Sequence, residues 1–428
     1  MSRSARLLSL CAALFLALML CFGLGFVYRH YALWPTDQVV TLIRQGKAFL
    51  RTGLWGREEQ YAKATVSEGE ARAKILDPER FLQGYRALLL FDADLGTYSI
   101  RLLDSESRQV HVWPISYLTL LPGEATEDVN PHGMMVLADG SILVNFGRRG
   151  AAIARLDSCS RPMWIAQGSY HHSIELDDSG ALWTWGSPDH HESNLQSIMK
   201  LDADTGKILR EIQMQSVFNA SADNVRLLRL SEDFEFLSDD QNNPAFARDV
   251  FHPNDVEPLS AEMADQYPGF EAGDLLLSLR NLDMVAVLDP ETLAIRWAKY
   301  GPWRRQHDPD FIGDGLIDVY DNNPQHGRSN IVTVSTLTGE TQLRWQGEDS
   351  RFYSVSQGKH QRLPNGDHLV VVPAEGRIIE LTDSGKKVFE YNNIATDGAN
   401  AIVLNAQWVP PDYFVAKPAC TVDLSERY

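Results

Sequence analysis

The sequence predicts an all-β fold, a six-bladed β-propeller, carried on an N-terminal transmembrane helix and a short helical stalk. Three observations predict it. From about residue 84 to 408, short apolar runs alternate with Asn-Gly, Asp-Gly, Ser-Gly or Thr-Gly turns, the signature of successive hairpins. The turns recur every 40 to 55 residues or so, and four strands at that period make one propeller blade. A histidine stands eight residues before the turn glycine in three units: His132 before Gly140, His172 before Gly180, His307 before Gly315. His252 heads a fourth such unit and reaches Gly273 through a longer loop.

Residues 1–30 open with Arg3 and Arg6, then an uncharged run from Leu7 to Val27, closed by Tyr28-Arg29-His30. Those 21 residues suffice for one membrane-spanning helix of about 20. The run is longer than the apolar core of a cleaved signal peptide and no Ala-x-Ala site follows it, so an uncleaved anchor is expected. The expected location is the inner (cytoplasmic) membrane, single-pass, with the propeller in the periplasm or outside the cell. Residues 31–83 read as a helical juxtamembrane stalk. Val39, Val40, Leu42, Ile43, Ala48 and Phe49 form one apolar stripe, with Arg44, Lys47 and Arg51 opposite.

Residues 84–408 hold the units, which start near 84, 132, 172, 252, 307 and 357. The long gap after His172 contains residues 219–248 with two acidic clusters, read as an insertion on a blade face. The apolar run Ala401-Ile402-Val403-Leu404 is expected to join the first blade and close the ring, which removes exposed sheet edges. Residues 409–428 form a C-terminal tail. Cys159 and Cys420 are the two cysteines outside the apolar run. They either pair and pin the tail, or stand as separate thiols.

The net charge of −18 excludes nucleic acid as a partner, because a phosphate backbone needs a basic surface. A small anion is compatible with a local cationic cluster in an acidic protein. No Gly-rich loop with a following Lys points to a nucleotide. In a closed ring the inner strands of all blades begin at one channel mouth, so His132, His172, His252 and His307 are expected to face one another. His360, two residues past Gly358 in the sixth unit, is a further candidate. Asn254 and Arg280 add amide and guanidinium donors, and an Arg fork suits sulfate or phosphate oxygens. Two rival readings remain at this point: a divalent metal held by the axial histidines, or a non-enzymatic scaffold or binding module.

Four stretches resemble the arylsulfotransferase family, the bacterial periplasmic enzymes that use no nucleotide sulfate donor. They are Tyr170-His171-His172-Ser173-Ile174-Glu175-Leu176, Phe251-His252-Pro253-Asn254-Asp255, Gly273 to Arg280, and Gln306-His307-Asp308-Pro309-Asp310-Phe311 with its continuation Gly315 to Asn322. In order they span roughly residues 130 to 405. The resemblance implies a six-bladed propeller that moves a sulfuryl group from an aryl sulfate donor to a phenolic acceptor through a sulfohistidine, with no cofactor and no metal. It implies His307 as nucleophile, His252 and His172 as supporting catalytic histidines, and Arg280, Asn254 and His171 as substrate-binding residues. His132 and His360 match no family role. The His-Asp-Pro wording at His307 is closer to the broader family than to its best-known enzymes. Asp308 either orients His307 or points into its own strand.

Overall fold

The computed structural model describes residues 15, 16, 19, 61–65 and 72–420, less 123–128, 148–151, 188–196, 229–249, 325, 346–349 and 396–398; for 61–65 only the backbone is described. The chain divides into Met1–Glu59 and Gln60–Tyr428, and all the strands belong to the second unit. Of the expected anchor, Phe15, Leu16 and Met19 are helical, and the rest lies outside the described residues. Among the described residues no helix is long and apolar enough to cross a membrane.

Six antiparallel blades form the body. Numbered in ring order, their inner strands are Val403–Val409 (blade 1), Met134–Val136, Ser169–Leu176, Pro253–Pro258, His307–Gly313 and Lys359–Arg362 (blade 6). The strand next to each, in the same order, is Tyr85–Asp92, Ile142–Asn145, Ala181–Ser187, Leu275–Leu279, Leu316–Asp321 and His368–Val372. These second strands read as unbroken apolar runs because both faces are covered by neighbouring blades; Leu88, Leu143, Leu182, Leu276, Val319 and Val370 are fully buried. The expected turn glycines Gly140, Gly180, Gly273, Gly315 and Gly366 all have φ between 70° and 89°, a conformation that favours residues without a Cβ.

Closure follows the sequence pattern: Val403 to Val409 pair with Leu90 to Tyr85, so the last strand of the chain is the inner strand of the first blade. The tail continues across blade 2. Val415 N–H donates to Ala138 O at 2.9 Å, the Tyr413 hydroxyl to Val136 O at 2.8 Å, and Cys420 forms a disulfide with Cys159. The insertion after blade 3 supplies two helices, Met214–Ala220 and Ala222–Leu228, which bury Val217, Phe218 and Leu228 against Trp185, Phe251 and Leu275.

The stalk expectation is corrected at its C-terminal end. Tyr61–Thr65 pairs with Ala399–Ala401, and Ala73–Ile75 is a fifth, outermost strand of blade 6, paired with Phe389 to Tyr391. Propeller structure therefore begins well before residue 84. The Ala- and Lys-rich composition of this stretch favours helix, and pairing with an available sheet edge overrides it. The apolar stripe at 39–49 lies outside the described residues.

Candidate active site

Three of the histidines, His172, His252 and His307, reach the axis from inner strands that are broken where they start. Strand register shifts between His171 and Ile174, between Pro253 and Asp255, and between His307 and Pro309. His172, His252 and Asp308 take left-handed backbone angles, φ 63°, 42° and 50°. A non-glycine residue there costs about 1–2 kcal/mol, and a bulge of this kind re-aims the side chains beside it. Cross-blade hydrogen bonds hold the strained starts. Asn145 Nδ2 donates to His172 O (3.1 Å), Val256 N–H to Ser173 Oγ (2.9 Å), and Asn254 Nδ2 to Gln306 O (2.8 Å).

Four of the expected histidines converge. The His172 ring centroid lies 5.0 Å from His132, 5.7 Å from His252 and 6.1 Å from His307. His171 joins them, its ring 4.8 Å from that of His172 with the two Nδ1 atoms in hydrogen-bond contact. One of these nitrogens must donate and the other accept, so the pair is at most singly charged. Burial, then the imidazoles of His171, His132, His252 and His307, hold His172 well below its ordinary pKa. Arg280, at the mouth end of the second strand of blade 4, donates from a terminal guanidinium nitrogen to His252 Nε2. A guanidinium can only donate, so His252 Nε2 carries the lone pair in this state.

His307 is 4% exposed and its tautomer is fixed. Asn322 donates both amide hydrogens, to Ser354 O (3.1 Å) and Gln357 O, so its Oδ1 must accept from His307 Nδ1 at 2.6 Å. The proton therefore sits on Nδ1 and the lone pair on Nε2. Burial, the largest influence, brings the His307 pKa down to about 3; the Asn322 bond opposes this, and the neighbouring Arg280 and His252 add to it. The ring is neutral at pH 7, the form that can act as a nucleophile.

One expectation needs correction, and one alternative left open by the sequence is decided. His360 does not join the histidine layer. It stands one layer further along the channel with Nδ1 3.0 Å from Asp308 Oδ2, because the blade 6 strand begins at Lys359 and sets His360 among the inner carboxylates. Asp308 does not orient His307. The bulge turns it to Lys359 and His360, and Asn322 holds the nucleophile instead. Asn322 has a sequence signal: it lies seven residues after the turn glycine Gly315, the same offset as Arg280 after Gly273. In blade 2 that offset is Gly147, where an added Cβ would come within 2.9 Å of three His132 ring atoms, so its absence makes room for that ring.

The histidine pattern gives no sign of the inner layer. Glu175, Asp255, Glu257, Asp308 and Asp310 project from blades 3, 4 and 5 toward Lys359. Burial and mutual repulsion push Glu175 up to about 8 and Asp255 up to about 6. Asp308 stays at about 2: burial would raise it, but Lys359 and His360 outweigh burial. Asp255 and Glu257, like Asp308 and Asp310, are two residues apart and share a strand face.

The arylsulfotransferase (ASST) family profile matches residues 133–394, more than half of the chain and all of blades 2 to 5. The chain belongs to the arylsulfotransferase family. Within this arylsulfotransferase fold, the matched segment contains every candidate site residue named from the sequence except His132, which lies one residue before it. No curated protein matches the sequence significantly. Similar solved structures include a protein of unknown function from Bacteroides caccae (TM-score 0.47, 10% identity, 77% of this chain and 99% of that one). TolB from Acinetobacter baumannii gives TM-score 0.46 and 10% identity over 76% of this chain and 67% of that one. Virginiamycin B lyase from Staphylococcus aureus gives TM-score 0.34 and 14% identity over 62% and 70%. Identities this low do not bear on activity.

Proposed function

We propose that this arylsulfotransferase is a membrane-anchored enzyme that transfers a sulfuryl group from an aryl sulfate ester to a phenol, or another hydroxyl acceptor, through a sulfohistidine on His307. One observation carries the reading: Asn322 fixes the proton of His307 on Nδ1, leaving the Nε2 lone pair in a ring neutral at pH 7 and within an imidazole cluster that includes the His252–Arg280 pair. The anchor is residues 7–27, which would place the propeller in the periplasm or outside the cell.

In the first half-reaction, His307 Nε2 attacks sulfur, the N–S bond forms and the S–O bond to the aryl group breaks. The sulfate oxygens draw Arg280 from His252 and receive its guanidinium fork, with His171 adding a ring N–H. The anionic ester beside His252 favours its protonated form, and His252 gives that proton to the departing phenolate. His172, held neutral, donates a hydrogen bond where charge develops. Asn254 fixes the strand start of His307 through Gln306 O and turns its unpaired, buried Oδ1 toward incoming groups that can donate. In the second half-reaction the acceptor oxygen attacks sulfur, its proton returns to His252, and the S–N bond breaks. No nucleotide or metal takes part in any step.

The test is transfer from a chromogenic aryl sulfate to a phenol by the purified protein. Acceptor-dependent release of the chromophore, lost in His307→Ala, is the expected result. Full activity in that variant would overturn His307 as the nucleophile, and no turnover in the wild type across aryl sulfates would leave the scaffold reading ahead.

A further inference from the structure

The inner layer of the channel has a chemistry that sulfuryl transfer does not use. It holds a cavity of about 280 Å³ lined by carboxylates from three blades, by the Arg362 guanidinium and by one ammonium, Lys359. That ammonium is already engaged by Asp308 and by Asp255 at 2.9 Å. Anions buried in excess over cations are costly, each by several kcal/mol, unless protons or a cation neutralise them.

His360 shows which of these the site is built for. Its side chain is fully buried. Nδ1 faces Asp308 Oδ2 at 3.0 Å, and a carboxylate can only accept, so Nδ1 carries the proton. Nε2 has no hydrogen-bond partner and lies 3.6 Å from Asp310 Oδ2, beyond hydrogen-bond reach. With the proton on Nδ1, the Nε2 lone pair faces the Asp310 carboxyl group with no hydrogen bond between them. An ion about 2.1 Å from each atom would span the 3.6 Å gap at an open angle. A carboxylate on the far nitrogen is the usual support of a metal-bound imidazole. Ligand atoms of Asp308, Asp310 and His360 all lie within 4.8 Å of one another, and the cavity leaves room for water to complete the shell.

We propose that this axial cavity binds one divalent transition-metal ion, through His360 Nε2 and the Asp310 carboxylate, with Asp308 holding the imidazole and closing the third side. One imidazole with carboxylates suits Zn²⁺ or Mn²⁺ better than Ca²⁺, which takes an all-oxygen shell. The ion ties blade 5 to blade 6 beneath the histidine layer. This site is separate from the four axial histidines and does not rest on the transfer reaction.

The experiment uses the full-length protein, stripped with a chelator, dialysed, and reloaded with Zn²⁺ or Mn²⁺. Elemental analysis is expected to give one ion per chain, with a raised thermal midpoint. Asp310→Asn and His360→Gln are expected to weaken binding at least tenfold, while His172→Gln keeps it. Pulsed EPR of the Mn²⁺-loaded wild type and His172→Gln proteins should show imidazole nitrogen coupling, a readout that stands even where a cavity variant fails to fold. No bound ion and no thermal shift with either metal overturns the proposal and leaves His360 as a buried structural imidazole held by Asp308. Retention of the ion by both cavity variants, or its loss in His172→Gln alone, overturns it equally.

Discussion

The tautomer of His307, like that of His252, is dictated by a partner that has no alternative. Asn322 spends both donors on blade 6 carbonyls, so it can only accept from His307 Nδ1. Asn322→Ala is therefore expected to lower the turnover number on the order of 10²-fold, the scale of a lost orienting partner, with little change in KM. Asn322→Asp keeps the acceptor and loses the two donors. It should lose as much thermal stability as the alanine variant yet keep more activity, and equal activity in the two would contradict a positioning role. Arg280→Lys retains charge but not the planar fork. A drop in kcat/KM of roughly tenfold or more is expected, since hydrogen bonds to charged groups contribute about 1.5–3 kcal/mol; wild-type kinetics would show that the fork is not used. His132, His172 and His307 were legible as one set because each stands eight residues before a turn glycine, whereas His252 and Arg280 were picked out by donor chemistry and the family resemblance. Asn322 was equally legible at the offset of Arg280, but an asparagine after a strand reads first as a turn residue.

At the scale of the element, the second strands and their turns were plain in sequence, because unbroken apolar runs between Gly-containing turns have few other readings. The bulges that open the inner strands were not. They depend on left-handed angles at His172, His252 and Asp308, residue types enriched in that conformation but found far more often outside it. The acidic layer follows from those bulges, since shifting a strand by one residue exchanges its faces. Element packing also sets a pH response. His368 in blade 6 meets Asp318 of blade 5 at 3.2 Å, both side chains fully buried, with Arg344 also on Asp318. Burial holds His368 below its ordinary value, with its neighbours His360 and Arg344 adding to this and Asp318 opposing it. The unfolded chain therefore takes up a proton below about pH 6.5 that the folded chain does not. Stability is full above that pH and falls as pH drops below it. Denaturant unfolding from pH 7 to 5 should show this decline, and His368→Asn should flatten it; an unchanged slope would show that His368 does not set it.

Across the whole molecule, the ring is held by a strand that arrives last. Val403–Val409 is the inner strand of blade 1, and the tail beyond it is tied to blade 2 by the disulfide of Cys420 with Cys159. Truncation after residue 402 opens the ring and exposes the edge of Tyr85–Asp92. It is expected to replace one cooperative thermal transition with a broad one, followed by calorimetry; a sharp, unshifted transition would show that closure is dispensable. Closure was visible in the sequence as a late apolar run. The contribution of Tyr61–Thr65 and Ala73–Ile75 was not, because short strands with no alternation acquire their identity only from the edge they meet.

The proposed mechanism turns on the sulfohistidine, and a sulfohistidine can be weighed. The wild-type protein is mixed with an aryl sulfate in the absence of acceptor, quenched, and measured by intact mass and peptide mapping. We predict an increase equal to one sulfuryl group, acid-labile, localised to His307, discharged by added phenol and absent from His307→Ala. An adduct on another residue, or rapid transfer to phenol with no adduct at any quench time, would contradict it.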